Sequence, residues 1–422
     1  MANNFDSNFT RKVAMKVLER FEANRVMSKN VDTQLFNGAF NPNTGDTIDV
    51  KRPTDYKTVR SSSGDISGSK RDIITGKASA TVQDYISVPV DYTEADQAIK
   101  MGTDADRFWD DIASRIVIDL ETDFSSFMMK NTALLSGTHG NGVNSWAEIA
   151  QAGALMQSTG VPMNKAWCYA LNPYSQTAIA NEQRSLGVNP QAGTANERAT
   201  VAERFAGFTV KTAVTLPSYT SQVGADRVGV LAANPDVTYA THKDSMKQTL
   251  SVSGFTAGLV IKAGEQIQIT GRNRLNLSTR APIVTETGAN VVFTATVAQD
   301  STMDGAGAGT IVITGPAIYE ATGAYNTVDS APIATDVVTI LGAASTLYQP
   351  NLFWHPDAFT IASVPIMKLH STDTIATTKD GLQMRISKYS NGDTNTQTVR
   401  FDLRPAYGVM NPFFAGQAFG NP

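Results

Sequence analysis

The 422 residues contain one cysteine, four histidines and no long apolar run. A lone Cys168 excludes an intrachain disulfide framework and, inside a strand-like run, reads as a small buried hydrophobe. The histidines, His139, His242, His355 and His370, form no i, i+4 pair, and no His/Cys spacing suits zinc. Nothing approaches the length of apolar text that spans a membrane. Residues 1–10 are polar, so no secretory leader is expected, and synthesis in the cytosol follows. Charge is scarce as well: 18% of residues carry it, with a net of −4, which gives no global case for nucleic-acid binding. The glycine-rich words fail as catalytic motifs. Gly64-Asp65-Ile66-Ser67-Gly68 has its serine in the wrong place for a nucleophile elbow. Gly76-Lys77-Ala78 lacks the upstream glycine and the hydroxyl residue of a phosphate loop. The alternating glycines Gly305, Gly307 and Gly309 fit a hairpin turn. No catalytic, cofactor-binding or metal-binding residue, and no cofactor, is expected, so the chain is not expected to be an enzyme. Trp109, Trp146, Trp167 and Trp354 lie in apolar contexts and read as core.

What the chain does have begins with residues 103–136. Ala105, Phe108, Ile112, Ile116, Leu120, Phe124, Phe127 and Met128, then Leu134 and Leu135, recur in steps of three and four. One apolar helix face follows, with Thr103 as cap and Gly137 as stop. At 1.5 Å per residue such a helix is a rod of roughly 45 Å. Its other face is acidic: Asp104, Asp106, Asp110, Asp111, Asp119, Glu121 and Asp123 outnumber Arg107 and Arg115. Residues 8–29 read as a basic amphipathic helix, with Val13, Val17, Leu18 and Phe21 on its apolar side and Arg11, Lys12, Lys16 and Arg20 among its cations. A terminal helix of this kind needs a surface, on its own domain or on a neighbour.

Residues 46–52 alternate as a half-buried strand, and strand-like text resumes at 73–82 and 85–92 around a Ser/Gly-rich tip. The whole reads as a long hairpin arm with few large apolar residues of its own. Residues 145–217 read as an α/β core: helix 146–157 after a Ser145 cap, buried strand 166–171, helix 174–183, a loop over 185–196, and a strand over 205–214. From 224 to 348 charge thins out, and Thr, Val, Gly and Ala form short strands at 248–255, 266–270, 290–298, 309–314 and 336–341. These read as a small all-β barrel inserted in the core, with a weak echo between residues 263–271 and 334–342. Mixed strand text then returns, with 382–389 and 396–403 paired around Asn391-Gly392-Asp393. The class is α+β.

This order resembles the major capsid (coat) proteins of tailed bacteriophages with the HK97-like fold, and more narrowly the short-tailed (podovirus) type with an inserted β-barrel. The words carrying it are Val50-Lys51-Arg52-Pro53, Gly64-Asp65-Ile66-Ser67-Gly68, Ile116-Val117-Ile118-Asp119-Leu120-Glu121-Thr122, Phe127-Met128-Met129, Asn351-Leu352-Phe353 and Phe401-Asp402-Leu403-Arg404-Pro405-Ala406-Tyr407. The resemblance implies an N-arm over 1–40 and an E-loop over 41–92. It implies a peripheral domain over 93–145 with spine helix 103–136. Residues 146–223 and 349–422 become the peripheral and axial core, and 224–348 the insertion domain. It further implies pentamers and hexamers in an icosahedral shell around double-stranded DNA, made through a scaffold-guided procapsid that expands on packaging, with a portal protein as a further partner. Assembly in the bacterial cytoplasm and a place in the virion capsid follow from the same likeness, and no membrane partner does. A bacterial nanocompartment shell of the same fold is the alternative; the long β block speaks against it. Some such shells are welded by Lys–Asn bonds, and no position here is assigned to that chemistry.

The charges add an expectation of their own. Residues 48–77 hold seven Lys/Arg against four Asp, while 91–123 hold ten Asp/Glu against three Lys/Arg. The arm's Lys51, Arg52, Lys57, Arg60, Lys70, Arg71 and Lys77 are therefore expected to lie over the acidic helix of a neighbouring copy. The basic residues of the terminal helix are expected to meet scaffold or, later, DNA.

Overall fold

The structure, a computed structural model, describes residues 6–33, 47–56, 58–67, 72–93, 105–185, 190–221, 227–370 and 373–422. The chain divides into two compact units: residues 1–48, 80–125 and 359–408, and residues 49–79, 126–358 and 409–422.

In the first unit, helix α1 (Asp6–Asn24) and most of helix α2 (Ala105–Lys130) accompany an antiparallel sheet. Its strand order is Thr374–Thr377, Gln383–Asn391, Thr396–Leu403, Ile86–Thr93. The ladder runs unbroken from Met384↔Leu403 to Asn391↔Thr396, around the expected turn in which Asp393 N–H donates to Asn391 Oδ1 (3.0 Å). Val13, Val17 and Phe21 of α1 are buried in their own unit, and α1 packs on the first two strands. The stripe read from the sequence, Ile112, Ile116, Leu120 and Phe124, is the buried face of α2.

The expected helix end is wrong by six residues. α2 stops at Lys130, because Asn131 Nδ2 turns back to Phe127 O (2.8 Å) and Thr132 Oγ1 to Met129 O (3.0 Å). Polar side chains that bond the preceding carbonyls end a helix in this way. Leu134 and Leu135 therefore lie on a strand, Leu134–Ser136, parallel to Ala415–Ala418.

That strand opens the mixed sheet of the second unit, ordered Leu134–Ser136, Ala415–Ala418, Asn351–Trp354, Trp167–Leu171, Phe208–Thr212, Arg204–Phe205. Helix α3 (Trp146–Thr159) covers it, and its first turn is tied by Glu148 accepting from the Ser145 N–H (3.2 Å). Trp167–Leu171 is buried along its length, Cys168 with it, and Trp354 is core as expected. Trp146 is not: it is 52% exposed at the start of α3, where its place on the outer side of the helix outweighs its hydrophobicity. Helix α4 (Pro173–Ser185) matches expectation, but part of the expected loop is helix α5 (Pro190–Arg198), which Pro190 can open because a first-turn N–H has no helical partner.

The Thr/Val/Gly block is a closed six-stranded barrel in the order Lys247–Ser253, Gly309–Thr314, Val292–Val297, Gln266–Asn273, Val337–Ile340, Val228–Leu231. Five strands were legible; Val228–Leu231, only four residues long, was not. Leu250, Val252, Ile267, Ile269, Phe293, Ile311, Ile313 and Val338 fill its interior. The two echoing segments are neighbours, paired Ile267↔Ile340 and Ile269↔Val338.

Barrel side chains hold the end of α2 and the segment that follows it. Thr314 Oγ1 donates to Lys130 O (3.1 Å), Gln266 Nε2 to Leu134 O (3.2 Å) and Arg274 Nη2 to Ala133 O (2.8 Å). Arg274 also donates to Thr294 O (2.5 Å) and lies between the rings of Phe293 (5.5 Å) and Phe413 (6.0 Å). Burial alone pushes its pKa down to about 10. Gly315, at φ +83°, makes the close approach possible: a Cβ there would sit 2.5 Å from that of Ala133. The barrel thus gives a partner to the last carbonyl of α2, that of Lys130, and to two carbonyls of the segment that leaves it.

Nearby, the buried Arg227–Glu265 ion pair faces His139, which stacks near Phe419 (4.3 Å) and Tyr348 (5.5 Å). Burial, with Arg227 adding to it, pulls the His139 pKa down from 6.5 to about 4. The folded state therefore holds a neutral ring where the unfolded chain binds a proton. Stability from this group is complete above pH 6.5 and is lost as pH falls toward 4. Over that window up to about 3 kcal/mol should disappear in the parent, and His139→Phe should flatten the acid limb of a urea-unfolding series.

Candidate assembly surfaces

Between its two base strands, Thr47–Lys51 and Lys77–Val82, the arm carries no further strand and no α-helix among the described residues. From Tyr56 to Ser67 every described residue is exposed. Apolar side chains are among them: Tyr56 is 67%, Val59 46% and Ile66 53% exposed, with Ile73 on the returning leg at 68%. The roots are firmly held. Arg52 is buried, donating to Lys77 O (3.0 Å), Val409 O (3.2 Å) and Met410 O, and Lys77 pairs with Asp49 (2.7 Å).

The charges expected to meet a neighbour are thus of two kinds. Lys51 and Arg60 are exposed and available. Arg52 is not: the alternation that buries Ile48 puts Arg52 on the same inward side, where backbone carbonyls occupy it. Lys57, Lys70, Arg71 and Asp104 lie outside the described residues, as do the side chains of Asp106, Arg11 and Lys12.

On α2 the exposed positions Asp111, Arg115, Ile118, Asp119, Thr122 and Asp123 form one stripe, with Ile118 48% exposed at its centre. Glu121 leaves the expected acidic face. It is buried, accepting from Met27 N–H (2.7 Å), Ser28 N–H (3.0 Å) and the Ser28 hydroxyl. The spacing already carried the signal, since Glu121 is four residues after Val117 and three before Phe124, on the apolar stripe. Ser28 in turn takes a hydrogen bond from Arg25 Nε (2.7 Å), and Arg25 reaches Asp380 (3.1 Å). The turn after α1 is therefore latched within the subunit. Arg20 pairs with Asp110 at 3.3 Å, so two charges expected on separate interfaces neutralise each other. Lys16 remains exposed. Replacing Glu121 by Gln, which substitutes an N–H₂ where donors converge, should cost about 1–3 kcal/mol. Limited proteolysis should then cut between residues 25 and 33 well before the parent is cut.

Among the described residues, no group of His, Cys, Asp and Glu is arranged to hold a metal ion, and no helix is long and apolar enough to cross a membrane. One cavity of about 320 Å³ is lined by Met129, Lys130, Tyr219, Lys262 and Asp300, and Lys262 and Asp300 already pair at 2.7 Å.

The chain is similar to several known proteins. The family model for the P22 coat protein, gene protein 5, matches residues 1–420. A major capsid protein of Acyrthosiphon pisum secondary endosymbiont phage 1 is 35% identical over 427 residues, covering 100% of both chains. Among solved structures, a chain from Mycobacterium phage Che8 is similar at a TM-score of 0.48 and 11% identity, covering 93% of this chain and 90% of that one. The capsid of cyanophage P-SCSP1u gives 0.44 and 10%, covering 90% and 85%.

Proposed function

Since the chain belongs to the P22 coat protein family and is a phage major capsid protein, we propose that its copies join mainly by exchanging the arm. The nanocompartment alternative falls away with that membership. The observation that carries the reading is the run from Tyr56 to Ser67, whose described residues are all exposed and whose apolar side chains find no cover among the described residues of their own subunit while both legs are fixed. Val59, Ile66 and Arg60 of one copy would lie along the α2 stripe of the next, against Ile118, Asp111, Asp119 and Asp123. Exposed ion pairs contribute only about 0–1 kcal/mol each, so apolar cover supplies the affinity and charge sets register.

In this reading residues 1–40 act as the N-arm, 41–92 as the E-loop, 93–145 as the peripheral domain, 224–348 as the insertion domain, and 146–223 with 349–422 as the remaining core. The product is an icosahedral shell of pentamers and hexamers holding double-stranded DNA, built in the host cytoplasm on a scaffolding protein around a portal. Lys16, Arg11 and Lys12 offer charge to the scaffold. The protein has no catalytic role. Microscopy of the full chain expressed with and without its scaffolding protein tests this: closed shells of one diameter are expected with scaffold, and single particles alone would refute it.

A further inference from the structure

The legs of the arm meet three outer loops of the barrel, and one hydroxyl joins both. Tyr325 Oη accepts the Asp55 N–H (3.0 Å) on the outgoing leg and donates to Ile74 O (3.2 Å) on the returning one. Its ring lies flat on Tyr239, with centroids 3.6 Å apart and planes 3° apart. Arg280 pairs with the Asp55 carboxylate and donates to Asn326 O (2.8 Å). It does so from a left-handed backbone, φ +56°, which disfavours a side chain and persists only where the surroundings hold it. Lys77 N–H donates to Asp244 Oδ1 (3.1 Å), and a Cβ on Gly76 would sit 2.4 Å from Lys243 O, so the second leg runs flush against the barrel.

We propose that Tyr325, Arg280 and Asp55 are positioning residues for assembly. The barrel serves as the footing that fixes the direction in which the arm leaves the subunit, and with it the curvature at which neighbours join. Nothing in this clip is needed to close the barrel, whose interior is filled by other residues. An unclipped arm would still find a neighbour, but over a range of angles. The inference rests on the arm-exchange reading and adds to it where the geometry of the contact is set.

Tyr325→Phe in the full chain removes one oxygen and keeps the ring stack. Thermal unfolding of the subunit should not move. Hydrogen exchange at residues 54–56 and 72–76 should rise about fivefold, the equivalent of one lost hydrogen bond. With scaffold, shells of one diameter should give way to mixed sizes and open sheets. Uniform shells at parental yield would overturn the positioning role, yet leave arm exchange standing, since that falls only if an arm without its tip also assembles. Should Tyr325→Phe destabilise the subunit, the charge exchange Asp55→Arg with Arg280→Asp decides. Each single reversal should spoil particle size and the pair should restore it; failure of the pair to restore size overturns the proposal.

Discussion

Arg274→Ala should lower the stability of the subunit by about 3–5 kcal/mol, which for a domain of ordinary stability leaves little folded protein. The side chain is 2% exposed. Its removal strands Ala133 O away from water, where an unpaired buried carbonyl costs about 1–3 kcal/mol, and takes a donor from the half-buried Thr294 O. A cavity between the rings of Phe293 and Phe413 adds to the loss. One term opposes this: a buried guanidinium is itself unfavourable, as its depressed pKa shows. The carbonyls outweigh it, because the cation is already spread over several acceptors and two aromatic faces. Arg274→Lys keeps the charge but cannot fork between two carbonyls, so it should fall between parent and Ala. Denaturant unfolding of purified subunits measures all three, and a parental midpoint for Arg274→Ala would show that Arg274 does not hold the segment after α2 to the barrel.

The second large effect concerns association. Replacing residues 58–66 by a short Gly/Ser bridge should leave subunit unfolding unchanged, since none of the described side chains there is buried. It should nonetheless abolish shells. Val59 and Ile66 are about half exposed, so covering them contributes about 0.8–1.5 kcal/mol each, and losing both weakens every contact by at least about 10-fold. A shell multiplies that loss over all its contacts. Arg60→Glu alone should act more gently, and most at low salt, where its charge is least screened. Light scattering during scaffold-driven assembly reads both variants; normal shells from the bridged arm would end the exchange reading.

Much of this architecture was legible in the residues, and what escaped did so for physical reasons. The α2 stripe and the barrel announce themselves through periodicity and glycine turns, because their partners recur at fixed local steps. Glu121 and Arg52 were legible too, had parity been trusted over charge: each occupies an inward position of its own element. The end of α2 was obscured because Leu134 and Leu135 continue a helical spacing that the side chains of Asn131 and Thr132 interrupt. Arg274 and Tyr325 left no local mark. Ala133 O lies 141 residues from Arg274, and Asp55 N–H and Ile74 O lie 270 and 251 residues from Tyr325. A main-chain group looks the same beneath every residue type.

The barrel's closure bears on life in a crowd. A sheet that ends in an unpaired strand offers its bare amides to any similar sheet nearby, and hundreds of identical copies concentrated at one site would make such offers constantly. Here each of the six strands finds both neighbours within the ring. The most β-rich part of the subunit can therefore be packed shoulder to shoulder with its own kind without fusing into fibrils.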